Sequence, residues 1–230
     1  MNNIESASDE NYGYSAEILA DWERIAELQR IRDSIYWKTL SKRLLPGSVL
    51  EVGAGCGQVS QLLKNFGFDV TSSDYETFFV EKMRSIGLES IVIDATDIAK
   101  TSDRLFDNIV AQSLSTQMRR EPEIVERTYH SIHAALKPGG RFIFTTALYP
   151  ISMFPWVMQQ RKINYGYREQ LKIIKNMSQF FDLIYTTRYQ ILKTSWYSER
   201  NKHFFNFFDF KLPKLLPFAS CRGIFVLQKR

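Results

Sequence analysis

The segment SVLEVGAGCGQ, residues 48–58, decides the fold. Ser48 to Val52 is a short β-branched apolar run, which reads as a buried strand. Gly53, Gly55 and Gly57 follow, and then VSQLLKNF places Val59, Leu62, Leu63 and Phe66 at helical spacing. A strand-to-helix turn this tight needs positive φ angles and a main chain with no Cβ in the way, so that a ligand can approach the backbone. The dinucleotide fingerprint GxGxxG would require glycine at position 58, where Gln58 stands, and this argues against a nicotinamide or flavin cofactor.

The same alternation continues downstream. FDVTSSD, SIVIDA, DNIVAQS and RFIFTTAL read as strands, with TFFVEKMRSI and EIVERTYHSIHAAL as helices between them and LKPGG as the turn into the last. Strands separated by helices predict right-handed crossovers and a largely parallel sheet covered on both faces, a three-layer doubly wound α/β fold. FDLIYTTRYQIL and RGIFVLQKR add two further strands. Upstream, residues 15–45 place Ile18, Trp22, Ile25 and Leu28 on one helical face, and Pro46-Gly47 ends that helical region. Asp74 stands 19 residues after Gly55, at the end of the second predicted strand. Doubly wound folds place an acid there to accept hydrogen bonds from ribose hydroxyls, although a turn or helix-capping aspartate would read the same way.

The segment from Val49 to Leu148 resembles the class I S-adenosylmethionine (SAM)-dependent methyltransferases, through VLEVGAGCGQ, the acid ending strand two, IDATDI, FDNIVAQS and LKPGGRFIF in that order. The resemblance implies a seven-stranded sheet whose last strand is antiparallel, and SAM as cofactor. By matched position it implies that Glu51 helps hold the ammonium end of SAM. Gly53, Ala54, Gly55 and Gly57 would form the cofactor loop, and Asp74 with Tyr75 would meet the ribose. Asp94 would accept from the adenine amino group beside Ala95, and Gln112 and Ser113 would line the methionine arm and the transfer site. Local readings stand beside these: a strand ion pair for Glu51, a strand cap for Gln112, and a small filler for Cys56.

Methyl transfer from a sulfonium needs positioning more than covalent help, and no GxSxG is present. The run AQSLSTQ lacks both the Asn/Asp-Pro-Pro-aromatic signature of many exocyclic-nitrogen enzymes and the Pro-Cys of cytosine C5 enzymes, which disfavours those base modifications. His203 is the tentative general base, because it lies between the last two strands; His130 and His133, on a predicted helix, read as packing or surface residues. Aromatic residues outside the core motifs, among them Tyr14, Trp37, Tyr149, Trp156 and Tyr165, are candidates to face the acceptor.

At 230 residues with 44% hydrophobic content, the chain fits one domain. Within it, residues 1–45 are expected as an N-terminal helical lid, 46–148 as the SAM-binding core, 149–181 as a lid insertion and 182–230 as the C-terminal strands. Cys56 and Cys221 make neither a disulfide framework nor a metal site. A reducing cytoplasm is the natural setting, since the polar, acidic start lacks a secretory signal and no run is long enough to span a membrane. Residues 150–230 carry 14 Lys/Arg against 4 Asp/Glu, whereas residues 1–149 carry 16 against 21. This asymmetry favours an anionic partner or is a solvated lysine-rich face. The expected activity is methylation of an oxygen or nitrogen of a small-molecule acceptor, a saccharide or other metabolite. RNA as acceptor and a non-catalytic SAM-binding scaffold are the alternatives, and monomer and homodimer stay equally open.

Overall fold

The computed structural model describes residues 33–114, 121–147, 167–189 and 222–230, together with the single positions 30, 200, 207, 211 and 212. Helix α1 (33–40) leads into strand β1 (Ser48–Val52), followed by α2 (Gln58–Asn65), β2 (Asp69–Asp74), α3 (Thr77–Ser85) and β3 (Ser90–Val92). Then come β4 (Phe106–Gln112), α4 (Pro122–Ala135), β5 (Leu136–Ala147), α5 (Tyr167–Asn176), β6 (Phe181–Tyr189) and β7 (Arg222–Lys229). The seven strands form one sheet in the order β3-β2-β1-β4-β5-β7-β6, with β7 antiparallel to both of its neighbours. This is the Rossmann-like arrangement anticipated from the alternation of strands and helices.

Strand alternation builds the two buried faces. Leu50 and Val52 of β1, Ile109 and Ala111 of β4, Phe142 and Phe144 of β5, and Phe225 and Leu227 of β7 turn to one side, where they meet Val125, Tyr129 and Ile132 of α4 and Ile174 of α5. Val49, Val110, Ile143, Ile224 and Val226 turn to the other, against Tyr36, Trp37 and Leu40 of α1 and Val59 and Leu63 of α2. Every residue of β1 is buried, as expected for a central strand covered on both faces. The order reverses between β1 and β4: β2 and β3 extend one way and the later strands the other. In doubly wound folds a ligand sits beyond the carboxyl ends of the strands at such a switch point.

At the opposite edge the structure refines one expectation. LKPGG was expected as a turn before the fifth strand, but β5 begins at Leu136, which pairs with Phe106 before the register resumes at Arg141 with Asn108. Residues 137–140 therefore arch over one residue of β4, Asp107. The Asp107 carboxylate accepts the Ser48 N–H, the Ser48 hydroxyl and the Lys137 ammonium, each at 2.9 Å. The Lys137 hydrogen bond, with the Ser48 N–H behind it, holds the Asp107 carboxyl down at about 2. One side chain thus joins the starts of β1, β4 and β5. His130 and His133 pack edge-on against Phe180, at ring separations of 4.6 and 5.2 Å.

A Cβ on Gly140 would lie 2.8 Å from the Lys137 carbonyl and 3.1 Å from that of Asp107, both main-chain atoms. A Cβ on Gly139, where φ is +73°, would meet only the Gln228 amide at 3.9 Å. Gly140→Ala should destabilise the fold by about 1–3 kcal/mol through forced main-chain movement. Gly139→Ala should lose about 1 kcal/mol, from its left-handed backbone alone. Urea denaturation of both variants checks the order; equal losses would show that the arch yields without strain.

Candidate functional site

The turn after β1 places Gly53, Gly55 and Gly57 at φ of +69°, +54° and +77°. Their reasons for being glycine differ. A Cβ at Gly53 would lie 2.8 Å from Leu114 Cδ1, and one at Gly57 would lie 2.6 Å from Leu88 Cδ1, so both are fixed by packing. A Cβ at Gly55 would meet nothing within 4 Å, so its bare main chain borders open space. The Gly55 N–H donates to Asp74 Oδ2 at 2.8 Å, and the N–H of Glu76, which begins α3, donates to Asp74 Oδ1 at 3.1 Å. The Asp74 carboxylate therefore clasps the glycine loop to the start of α3, and each oxygen keeps a second lone pair for a hydroxyl donor. Burial raises the Asp74 pKa, against the pull of those N–H bonds. The capping and ligand-binding readings of Asp74 are compatible in this geometry. Tyr75 beside it is half exposed, and Cys56 is half-buried between the glycines.

Glu51 turns toward α2, not toward solvent. The Ser60 hydroxyl donates to its carboxylate, and Ser72 donates to Ser60 at 2.7 Å, making a buried chain from β2 through α2 to β1. Burial pushes the Glu51 carboxyl up to about 8, with smaller upward contributions from Asp74 and Asp33, while Ser60 pulls the other way. Asp94 lies in an exposed turn, its Oδ1 accepting the N–H and the hydroxyl of Thr96 at 2.8 Å each. Ala95 is buried beneath it.

At the end of β4, Gln112 is held by three residues of α1. Its Oε1 accepts the Tyr36 hydroxyl and, at 3.0 Å, the Trp37 indole N–H, while its Nε2 donates to Asp33 at 3.0 Å. Asp33, Tyr36 and Trp37 are fully buried. Positions 33, 36 and 37 share one helical face, so the helix presents all three to one amide. Trp37, expected among the acceptor-facing aromatics, is thus part of the wall behind Gln112. Ser113 has φ of +58°, a left-handed conformation uncommon outside glycine. Its N–H donates to the Thr145 carbonyl at 2.7 Å, and its hydroxyl accepts from Arg222 Nη1 at 2.8 Å.

The structure gathers Glu51, Gly53, Ala54, Gly55, Gly57, Asp74, Gln112 and Ser113 around the carboxyl ends of β1, β2 and β4. Tyr14, Tyr149, Trp156, Tyr165 and His203 lie outside the described residues. Sequence reasoning missed Asp33, Tyr36, Ser60 and Arg222. Asp33 had a legible signal: an acid on the face that also carries Tyr36, Trp37 and Leu40 must find a buried donor. Arg222 had no local signal, because its meaning comes from β7 lying beside β5.

A family model described as "Methyltransferase domain" matches residues 24–211. No curated protein matches the sequence significantly. Among solved structures, the chain is similar to the PH0226 protein from Pyrococcus horikoshii OT3, at 16% identity and a TM-score of 0.60, covering 94% of this chain and 95% of that one. It is similar to the glycopeptide N-methyltransferase MtfA complexed with SAM, at 13% identity and a TM-score of 0.58, covering 84% and 86%. An S-adenosylmethionine-dependent methyltransferase from Clostridium acetobutylicum matches at 14% identity and a TM-score of 0.57, covering 87% and 91%. The structural likenesses establish the fold, and the family match establishes membership: the chain belongs to the methyltransferase-domain family, whose cofactor is SAM.

Because the folded-state value of Glu51 lies above the ordinary 4.5, its contribution to stability is complete below about pH 4.5 and is lost as pH rises through about 8. Relative to Glu51→Gln, the wild type should lose stability on the order of a few kcal/mol across that window. Melting temperatures of the two proteins at a series of pH values check this. Parallel profiles would show that Glu51 does not titrate in the folded protein.

Proposed function

We propose that this member of the methyltransferase family transfers the methyl group of SAM to an oxygen or nitrogen of a small-molecule acceptor. The observation that carries the donor half is the clasp of Asp74 on Gly55. It holds an open main-chain turn beside a buried carboxylate with unused lone pairs, which suits a ribose diol packed against the loop. SAM, when bound, supplies an electrophilic methyl on a positively charged sulfur.

The residues of the chain then have three tasks. Asp74 and the loop main chain bind and orient the nucleoside end. Glu51, near the carboxyl end of β1, is the acid proposed for the methionine end: a bound ammonium would draw its buried carboxyl toward the ionised form, against the burial that raises its pKa. Tyr36 and Trp37 hold Gln112 in one orientation and keep water from the back of the β4 terminus. In-line displacement on an activated methyl is chiefly a matter of alignment, so a rigid wall here contributes directly to rate. Of the segments 1–45 and 149–181, α1 and α5 pack into the core, so the proposed cover over the acceptor falls to the remainder of each, and His203 is the proposed base where the acceptor must lose a proton. The small-molecule reading draws its support from AQSLSTQ, which lacks the base-modification signatures.

Calorimetry with SAM and with S-adenosylhomocysteine tests the donor half: both should bind, and binding of neither would sink the reading. Asp74→Ala should weaken SAM by about 1–3 kcal/mol, the effect of leaving buried partners unmatched. Unchanged affinity would show that Asp74 serves the loop alone. Incubation of a cell extract with methyl-labelled SAM and the protein tests the acceptor half. Label should enter the small-molecule fraction, and label confined to RNA would overturn this assignment.

A further inference from the structure

Beyond the donor site, the carboxyl ends of β4, β5 and β7 carry polar groups that the donor does not use. Gln112 of β4 pairs with Thr145 of β5, and Thr145 pairs with Ile224 of β7, so the three form a row across the sheet. Val110, Ile143 and Ile224 belong to the face beneath α1, and by period-two alternation Gln112, Thr145 and Arg222 share that face. Arg222 sits two residues beyond Ile224, at the rim.

Two features of this row have no explanation in the fold. Thr145 is fully buried, and its hydroxyl has no hydrogen-bond partner among the described residues. Arg222 makes one hydrogen bond among the described residues, to the neutral Ser113 hydroxyl. Arg104, Arg127 and Arg230 each stand within ion-pair distance of a carboxylate, but Arg222 has none among the described residues. A guanidinium has five N–H donors in a planar fork matched to carboxylate and phosphate oxygens, so one bond to an alcohol leaves most of that capacity unspent. To reach Ser113 from β7 the side chain spans β5, a distance of roughly 9–10 Å for two strand spacings. The contact fixes the charge beside the residue that follows Gln112, and the left-handed backbone of Ser113 turns its hydroxyl to receive it.

We propose that Arg222, steadied by Ser113 at the rim of this row, takes an anionic oxyacid group of the methyl acceptor, a carboxylate or a phosphate. The proposal rests on the methyltransferase reading, and it assigns the acceptor's charge and the side from which it enters. The edge is divided by residue type: the acids Asp33, Glu51 and Asp74 lie at the β1, β2 and β4 side, proposed for the positively charged donor, and Arg222 stands at the β5 and β7 side. An acceptor anion on Arg222 places its reacting oxygen or nitrogen between the two.

The test uses the full chain saturated with S-adenosylhomocysteine and labelled with nitrogen-15 at arginine. Sodium acetate and sodium phosphate are titrated against sodium chloride of equal ionic strength. The Nε–H resonance of Arg222, identified by its absence from Arg222→Gln, should shift saturably with acetate or phosphate and not with chloride; the tighter of the two names the oxyacid. Arg222→Gln removes the charge with a neutral side chain too short to reach Ser113 across β5, and should bind S-adenosylhomocysteine within about twofold of wild type while losing the anion response at least tenfold. An Arg222 resonance indifferent to both oxyanions would overturn the proposal and leave the donor reading intact. A drop of tenfold or more in S-adenosylhomocysteine affinity in Arg222→Gln would also overturn it, by giving the guanidinium to the carboxylate of the donor. Failure of the wild type to bind S-adenosylhomocysteine is a different result, and strikes the methyltransferase reading itself.

Discussion

The hydrogen bond from the Gly55 main chain to Asp74 joins the ends of the adjacent parallel strands β1 and β2, beside the switch point of the sheet. Asp74 also receives the first N–H of α3, so one carboxylate sets the loop after β1, the exit of β2 and the entry of the next helix. Three donors and acceptors that would otherwise be costly to bury satisfy one another. The open space at Gly55 exists because Gly53 and Gly57 are pinned by Leu114, Leu88 and Met83, which keep the turn from collapsing. A ligand meeting this edge finds a backbone already in place, and little ordering is left to be done on binding.

Away from that clasp, charge decides how the edge is used. Burial of Glu51, with Asp74 and Asp33 nearby, disfavours its ionised form, and a neighbouring cation would favour that form. Arg222 presents the complementary situation on the far side, where a cation rests on a neutral hydroxyl. The donor therefore has one electrically suitable side and an anionic acceptor has the other. Approach of the two brings opposite charges together over the end of β4, where the hydrogen bonds of Gln112 to α1 leave it little freedom to move.

Much of this was legible in residues 48–58, because glycine at 53, 55 and 57 restricts the backbone locally and Asp74 recurs at a spacing set by one β-α-β unit. The largely parallel, doubly wound class followed from the alternation of apolar runs and helical patterns, and the antiparallel last strand was implied by the family resemblance. The start of β5 was not legible, since LKPGG has turn chemistry and Asp107, beside the pairing of Leu136 with Phe106, lies on the third strand after that of Ser48 in sequence. Glu51 was expected to hold the ammonium end of SAM or to form a strand ion pair; its buried hydrogen bond to Ser60 arises only when α2 folds back over β1. Arg222 is the extreme case. Nothing within RGIFVLQK distinguishes it until β7 is inserted antiparallel between β5 and β6.

The engagement of Gln112 is consistent with placing the proposed acceptor site on Arg222 of β7. An amide has one carbonyl oxygen and one NH2 group, and α1 occupies the former with two donors and the latter with Asp33. Breaking any of these bonds to greet a substrate would leave a buried group unmatched on α1, a penalty of about 1–3 kcal/mol for each. The amide is therefore more useful as a fixed wall than as a substrate ligand. In the proposed site, recognition falls instead to the guanidinium of Arg222, which the described residues leave with hydrogen-bonding capacity to spare.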